Sequence, residues 1–295
     1  MQDYDKIAEI IEKDYNTVKT VKYLIYVYFL ACVAVITLIL SLIFGNPISH
    51  HQGEESWMGF GDVLLIMLAS VIIAWLIGSR QFKKVASRFE HILTEDCDAE
   101  TFLVFADCGM NKPKPDYERN LEQALRRSYE TYCLLGYQAC GKFKAAEEFM
   151  NTHKGLNRRT VSETKMMAAA ERRDSDAFYR AYNEIKEILD ASPFKRKTAK
   201  WRNKFDFIRA MACEDYEAGL ESAKTVKPES RYEEMLYRLW EGECNVGLGR
   251  LSEAKECFKY VSENGNTLFA KRKADKYLNE VLNRAPEKEQ PKESE

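Results

Sequence analysis

"GRLSEAKECFKYV", residues 249–261, decides the fold. The preceding residues "NVGL" place Gly247 and Gly249 one residue apart, as at the mouth of a phosphate-binding loop. Such a loop needs a strand ahead of its glycines to aim the turn at the phosphate. Here "LWEGECNVG" has a helical pattern, and no G-K-[ST] follows. Gly249 therefore reads as a turn between two helices, with Gly247 at a loosened helix end. After Gly249, Leu251, Ala254, Phe258 and Val261 follow at helical steps, one stripe on one face.

The same pattern recurs upstream. "GKFKAAEEFMNTH" gives Gly141, Phe143, Ala146 and Met150. "DAFYRAYNEIKEI" gives Asp176, Phe178, Ala181, Ile185 and Ile188, and "EDYEAGLESAKTV" gives Glu214, Tyr216, Gly219, Ala223 and Val226. Each copy is a turn residue, an aromatic or Leu, a small residue, then apolar residues. The small residues Ala146, Ala181, Gly219 and Ala254 recur at intervals of 35, 38 and 35 residues. Another helical run precedes each copy, so the unit is a helical hairpin. One hairpin cannot bury its own apolar face, so the units must stack.

This pattern resembles the tetratricopeptide repeat, a helical hairpin of about 34 residues. The second-helix signature fits in all four units. In the first helices Gly242 fits the small slot of the last unit, Tyr137 fits the aromatic slot of the first, and Ala169 fits the small slot of the second. Leu134, Arg172, Phe207 and Asn245 depart from the pattern, and Pro193 alone matches the closing proline. The resemblance implies a solenoid whose concave groove, lined by first helices, binds a protein or peptide. The Lys/Asn/Arg set of the carboxylate-clamp members has no match here, so that ligand is not implied.

The 295 residues carry 44 basic and 46 acidic side chains, a net charge of −2 that gives no global pull toward nucleic acid. The 8 cysteines form no C-x-x-C pair, which fits small buried hydrophobes in a reducing compartment. A mean hydropathy of −0.44 conceals two apolar runs. Residues 23–45, "YLIYVYFLACVAVITLILSLIFG", hold no charge, and residues 60–78, "FGDVLLIMLASVIIAWLIG", hold only Asp62 at the edge. About 20 helical residues cross a bilayer core, so two transmembrane helices are expected. A cleaved signal peptide fits poorly: the first run is too long and no A-x-A site closes it.

Lys6, Lys13, Lys19 and Lys22 precede the first run and Arg80, Lys83, Lys84 and Arg88 follow the second, while residues 46–59 have neither Lys nor Arg. Both termini are then cytoplasmic and the short loop external. The compact layout is that of a protein of the bacterial inner (plasma) membrane. The leader, residues 1–22, carries an apolar stripe at Tyr4, Ile7, Ile11, Tyr15 and Val18, and Phe82, Val85, Phe89 and Ile92 repeat it beyond the second run. The two segments are expected to pair, the alternative being a leader lying on the membrane surface.

The expected order after the spans is a connecting helix and degenerate first hairpin at 79–126, four repeat units at 127–266, a capping helix at 267–284, and a charged tail at 285–295 too polar to fold. The fold class is thus all-α: two transmembrane helices followed by a cytoplasmic tetratricopeptide-like solenoid.

A search for chemistry finds little. His50, His51, Glu54 and Glu55 cluster on the external loop and read as a flexible polar loop rather than a metal site. Cys133 and Cys140 share a helix face and read as packing. No cofactor site and no nucleophile–base arrangement suggests an enzyme. "FKRKTAKWRNK" is the one basic run: Lys195, Arg196, Lys197, Lys200, Trp201, Arg202 and Lys204 form a candidate interaction patch for an acidic peptide or anionic lipid. Its plainer reading is a solvated helix start.

The packing positions of the array are Tyr137, Gly141, Phe143, Ala146, Phe178, Ala181, Ile185, Tyr216, Gly219, Gly242, Gly249, Ala254 and Phe258. The expected function is a membrane-anchored scaffold or adaptor. One alternative is a regulatory or assembly factor whose spans bind a partner, and another is an enzyme of unrecognised type.

Overall fold

A computed structural model describes residues 2–44, 89–111, 120–190 and 195–282, with isolated positions between 68 and 87. Every described element is helical. In chain order they are α1 (Gln2–Phe44), α2 (Glu90–Thr94), α3 (Ala99–Met110), α4 (Asn120–Ala139), α5 (Phe143–Thr152) and α6 (Arg158–Arg172). Then come α7 (Ser175–Asp190), α8 (Lys195–Ala212), α9 (Tyr216–Thr225), α10 (Arg231–Gly247), α11 (Leu251–Asn264) and α12 (Phe269–Tyr277), closed by a π turn at Leu278–Leu282. The chain forms two compact units. One holds residues 1–88 and 112–126, the other residues 89–111 and 127–295.

In the first unit α1 is one helix of 43 residues, about 65 Å long at 1.5 Å per residue. It buries Ile7 and Ile11. Tyr23, Tyr26, Val27, Tyr28, Phe29 and Leu30 stand exposed. Among the described residues no helix is long and apolar enough to cross a membrane. The side chains of 36–44, the expected external loop 46–59, nearly all of the second apolar run, and Phe82 and Val85 lie outside the described residues.

The second unit is a repeat-like array of four hairpins: α4/α5, α6/α7, α8/α9 and α10/α11. All four turn in the same way. Lys142, Asp174, Asp215 and Arg250 donate their backbone N–H to the carbonyls of Tyr137, Ala169, Ala210 and Asn245, five residues back, at 2.8–2.9 Å. The residue before each donor is left-handed: Gly141 (φ 67°), Arg173 (φ 56°), Glu214 (φ 56°) and Gly249 (φ 72°). This is the 6→1 closure with an αL residue at C′ that ends many helices.

The second hairpin departs from the expected register. Asp174 accepts a hydrogen bond from the Ala177 N–H at 2.9 Å, so α7 begins at Ser175 and the turn residue is Arg173, not Asp176. Phe178, not Ala181, then stands where Ala146, Gly219 and Ala254 stand in the other hairpins. Upstream, α4 is continuous from Asn120 to Ala139.

Two cores fill the unit. One gathers Met166, Phe178, Ala181, Ile185, Phe205 and Phe207 from the middle hairpins with Trp240 and Cys244 of α10. The other joins Phe102, Ala139, Met235, Leu239, Ala254, Phe258 and Ala270, from both ends of the array. Helix α10 contributes to both. Close approach explains the glycines: a Cβ on Gly242 would stand 2.6 Å from the Phe258 ring, one on Gly219 2.5 Å from Cys244 Sγ, and one on Gly247 2.2 Å from the Tyr216 ring. Gly247 is thus the last residue of α10, kept small by Tyr216. The seven described cysteines are free thiols, and five of them are buried.

The array closes on itself. Thr267 Oγ1 donates to Asp98 Oδ1 at 2.8 Å and Asn266 Nδ2 to the Asp96 carbonyl at 3.1 Å. Arg272 Nη2 donates to the Cys140 carbonyl at 2.6 Å, and Phe269 meets Phe143 edge to face at 5.9 Å. The capping segment therefore touches the start of the unit as well as α11. Ala270 and Ala274 face inward as expected, but the helix widens into a π turn at Leu278.

Candidate functional site

The first helices bring their polar residues to an interior crossing. Lys204 of α8 has 6% of its surface exposed and Glu163 of α6 has 7%. Lys204 Nζ lies 2.5 Å from Glu163 Oε1 and 3.3 Å from Glu233 Oε1 at the start of α10. Thr164 Oγ1 donates to Gln138 Oε1 at 3.1 Å, and Gln138 Nε2 to the Tyr232 hydroxyl at 3.4 Å. One polar chain thus links α4, α6, α8 and α10. Burial alone would lower the Lys204 pKa; Glu163, Tyr237 and Glu233 outweigh it and hold the ammonium well above its ordinary value. The Tyr237 hydroxyl beside them is buried with no hydrogen-bond partner among the described residues.

A second cluster fastens the capping helix. Glu243 of α10, 3% exposed, pairs with Arg173 Nη2 at 2.8 Å and Lys273 Nζ at 2.5 Å. Lys273 also reaches Glu171 at 2.7 Å, and Arg173 Nη1 donates to the Met211 carbonyl at 2.7 Å. Burial would lower the Arg173 pKa, and Glu243 raises it further than that. Each buried carboxylate, Glu163 and Glu243, faces a cation at close range. Cations so placed neutralise these carboxylates and fix helix crossings.

The described cations of the basic run are paired. Lys204 is buried as above. Lys200 pairs with Glu229 and Arg202 with Asp190, the latter at 2.7 Å. Trp201 packs 6.0 Å from Phe205, and the Arg159 guanidinium lies 3.5 Å over its ring. The side chains of Lys195, Arg196 and Lys197 lie outside the described residues. The expected patch is therefore not free at these four positions: acidic residues from neighbouring segments meet the three cations, and Arg159 covers Trp201.

The packing positions are found at the helix crossings. Ala146, Phe178, Ala181, Ile185, Ala254 and Phe258 are at most 2% exposed. Tyr137 stacks at a tilt on Phe149 at 5.6 Å, and Phe258 lies flat on Tyr277 at 4.6 Å. Tyr216 and Phe143 are half-buried beside the middle core.

The surface feature not foreseen from sequence is a groove of about 720 Å³ between α9 and α11, with α10 between them. Leu220, Val226, Tyr237 and Cys257 supply its apolar lining, and Glu234, Arg238, Glu241, Arg250, Glu253 and Glu256 its charged walls. Arg238 is bound to Glu241 at 2.8 Å and Lys224 to Glu221 at 2.9 Å. Tyr260 donates its hydroxyl to Glu234 at 2.8 Å. Burial pushes the Cys257 thiol up to about 11, so it is a packing thiol rather than a nucleophile. The carboxylates at Glu253 and Glu256 sit one helical step apart on the same wall, a pattern visible in "LSEAKEC" only once the groove is known.

Comparison with protein-family models, with curated proteins and with solved structures finds no match for this chain.

Proposed function

We propose that the chain is a membrane-anchored scaffold or adaptor for protein–protein interaction. The apolar runs at 23–45 and 60–78 are the anchor, and the array at 127–266, of tetratricopeptide type, presents its surface to the cytoplasm. The single observation that carries this reading is the fourfold repetition of one hairpin turn, Gly141, Arg173, Glu214 and Gly249. Stacked hairpins with a common turn build extended surface for a partner.

The anchor draws support from α1. Val27, Tyr28, Phe29 and Leu30 are consecutive, so they point to all sides of the helix, and all are exposed. A lipid environment on every side accommodates that arrangement where water disfavours it. The contact surface differs from the one the resemblance implies, because the first-helix face is filled by the Lys204 chain. The groove between α9 and α11 takes that role.

The test uses the full-length chain in native membranes. Carbonate washing should leave it in the pellet and detergent should release it. Photo-crosslinkers spread over the exposed faces of the array should give discrete adducts with a partner protein. Replacing both apolar runs with generic apolar helices should leave those adducts in place. Release by carbonate refutes the anchor, absence of adducts at all array positions refutes the scaffold, and loss on exchanging the runs favours spans that bind the partner.

A further inference from the structure

We infer that the groove between α9 and α11 receives a basic amphipathic segment: the cytoplasmic juxtamembrane stretch of another integral membrane protein. This rests on the scaffold reading and names its partner's chemistry. Charge argues it. Of the basic residues on the walls, Arg238 is held by Glu241 and Lys224 by Glu221. Among the described residues the carboxylates of Glu253 and Glu256 have no ion pair and Glu234 receives the Tyr260 hydroxyl, so three carboxylates share the groove with Arg250, itself unpaired among them. The free charge in the groove is net negative, which repels anionic headgroups and acidic peptides and attracts Lys and Arg.

Shape agrees with charge. The groove, about 720 Å³, runs along α10 between α9 and α11. An apolar lining beneath charged walls suits a helix or strand with one apolar side and one basic side. Membrane-proximal cytoplasmic segments have that composition by rule, since Lys and Arg gather on the cytoplasmic side of spans. A scaffold tethered to the same bilayer meets them at high effective concentration.

The test measures fluorescence anisotropy of the full-length chain in uncharged phosphatidylcholine nanodiscs. Three labelled peptides of about 14 residues, some four helical turns, are the probes: Leu with Lys, Leu with Glu, and Ser with Lys. The Leu/Lys peptide should bind at least about tenfold more tightly than the other two, and more weakly as NaCl rises from about 50 to about 300 mM. The double variant E253K/E256K, both exposed and outside the cores, should lose that preference and favour Leu/Glu. Unchanged Leu/Lys binding by the variant, or equal binding of Leu/Glu by the natural chain, overturns the proposal.

A crosslinker at Tyr260 is compared with one at the exposed Tyr179 of α7 in native membranes. Adducts at Tyr179 alone leave the scaffold and sink the groove. A Tyr260 product of twice the chain's mass assigns the groove to a second copy instead.

Discussion

Two of the four hairpin turns place a side chain where glycine is at ease, and the two should respond to glycine with opposite sign. Glu214 and Arg173 share φ 56°. A left-handed non-glycine residue costs about 1–2 kcal/mol, and glycine removes that cost while adding about 0.5–1 kcal/mol of unfolded-state entropy. Glu214 gives up only an exposed contact, in which the Tyr216 hydroxyl donates at 3.3 Å. E214G should therefore stabilise the fold by about 0.5 kcal/mol, roughly 1–2 °C for a unit of this size.

R173G gains the same relief but loses far more. The guanidinium donates to the Met211 carbonyl at 2.7 Å and to Glu243 at 2.8 Å, and Glu243 is 3% exposed. Hydrogen bonds involving a charged group are worth about 1.5–3 kcal/mol each. Lys273 still holds Glu243 at 2.5 Å, which keeps the loss at the lower end. The net change should be a destabilisation of about 2–3 kcal/mol. The assay is thermal unfolding of the full-length chain in detergent followed by near-UV circular dichroism. If R173G melts with or above E214G, the side-chain clamp does not hold the turn and the reasoning fails.

Removing the ammonium in K204M should destabilise by about 3–5 kcal/mol, because the buried Glu163 loses its cation, and K204M/E163M should recover most of that in the same melts. The folded pKa of Lys204 is raised above its ordinary value of 10.5, so its contribution is complete below that value and is lost as pH rises from there through the folded one. Alkaline titration should thus cost the natural chain stability that the double variant does not lose. Asp98 behaves oppositely. Burial pushes its pKa up, but hydrogen bonds from Thr101 and Thr267 prevail and bring it below 3.8. Its contribution is present above that value and vanishes as pH falls through the lower folded one, so D98N should flatten the acid limb of the stability profile.

The sequence exposes the turns to the degree that backbone chemistry writes them. Gly141 and Gly249 are legible because glycine occupies αL at no steric cost. Glu214 is marked by the small residue Gly219 five positions on. Arg173 has no such local mark, because its conformation is held by partners, Met211 and Glu243, that are 38 and 70 residues away. The motif "FYRA" at residues 178–181 mimics the "FKAA" of residues 143–146, and the mimicry shifts the second unit by three residues. The core absorbs Phe178 at the small-residue position beside Ala169 and Ala170.

The basic run shows why charge on a helix face is a weaker signal than periodicity. Periodicity is local: Ala254 and Phe258 must share a face wherever the helix goes. Whether Lys204 meets solvent depends on where α6 and α10 cross α8, and its acids come from Glu163 and Glu233, 41 and 29 residues away. The same closure fills the first-helix face and carries the capping segment back to Asp98 and Cys140. An open solenoid would expose its first helices. The groove of this array is walled by α9 and α11 over a floor from α10, and its carboxylates at Glu253 and Glu256 lie on the outward face of α11. The residues that fix the stack and those that would read a partner are thus interleaved on α11: Ala254, Phe258 and Val261 inward, Glu253, Glu256 and Tyr260 outward.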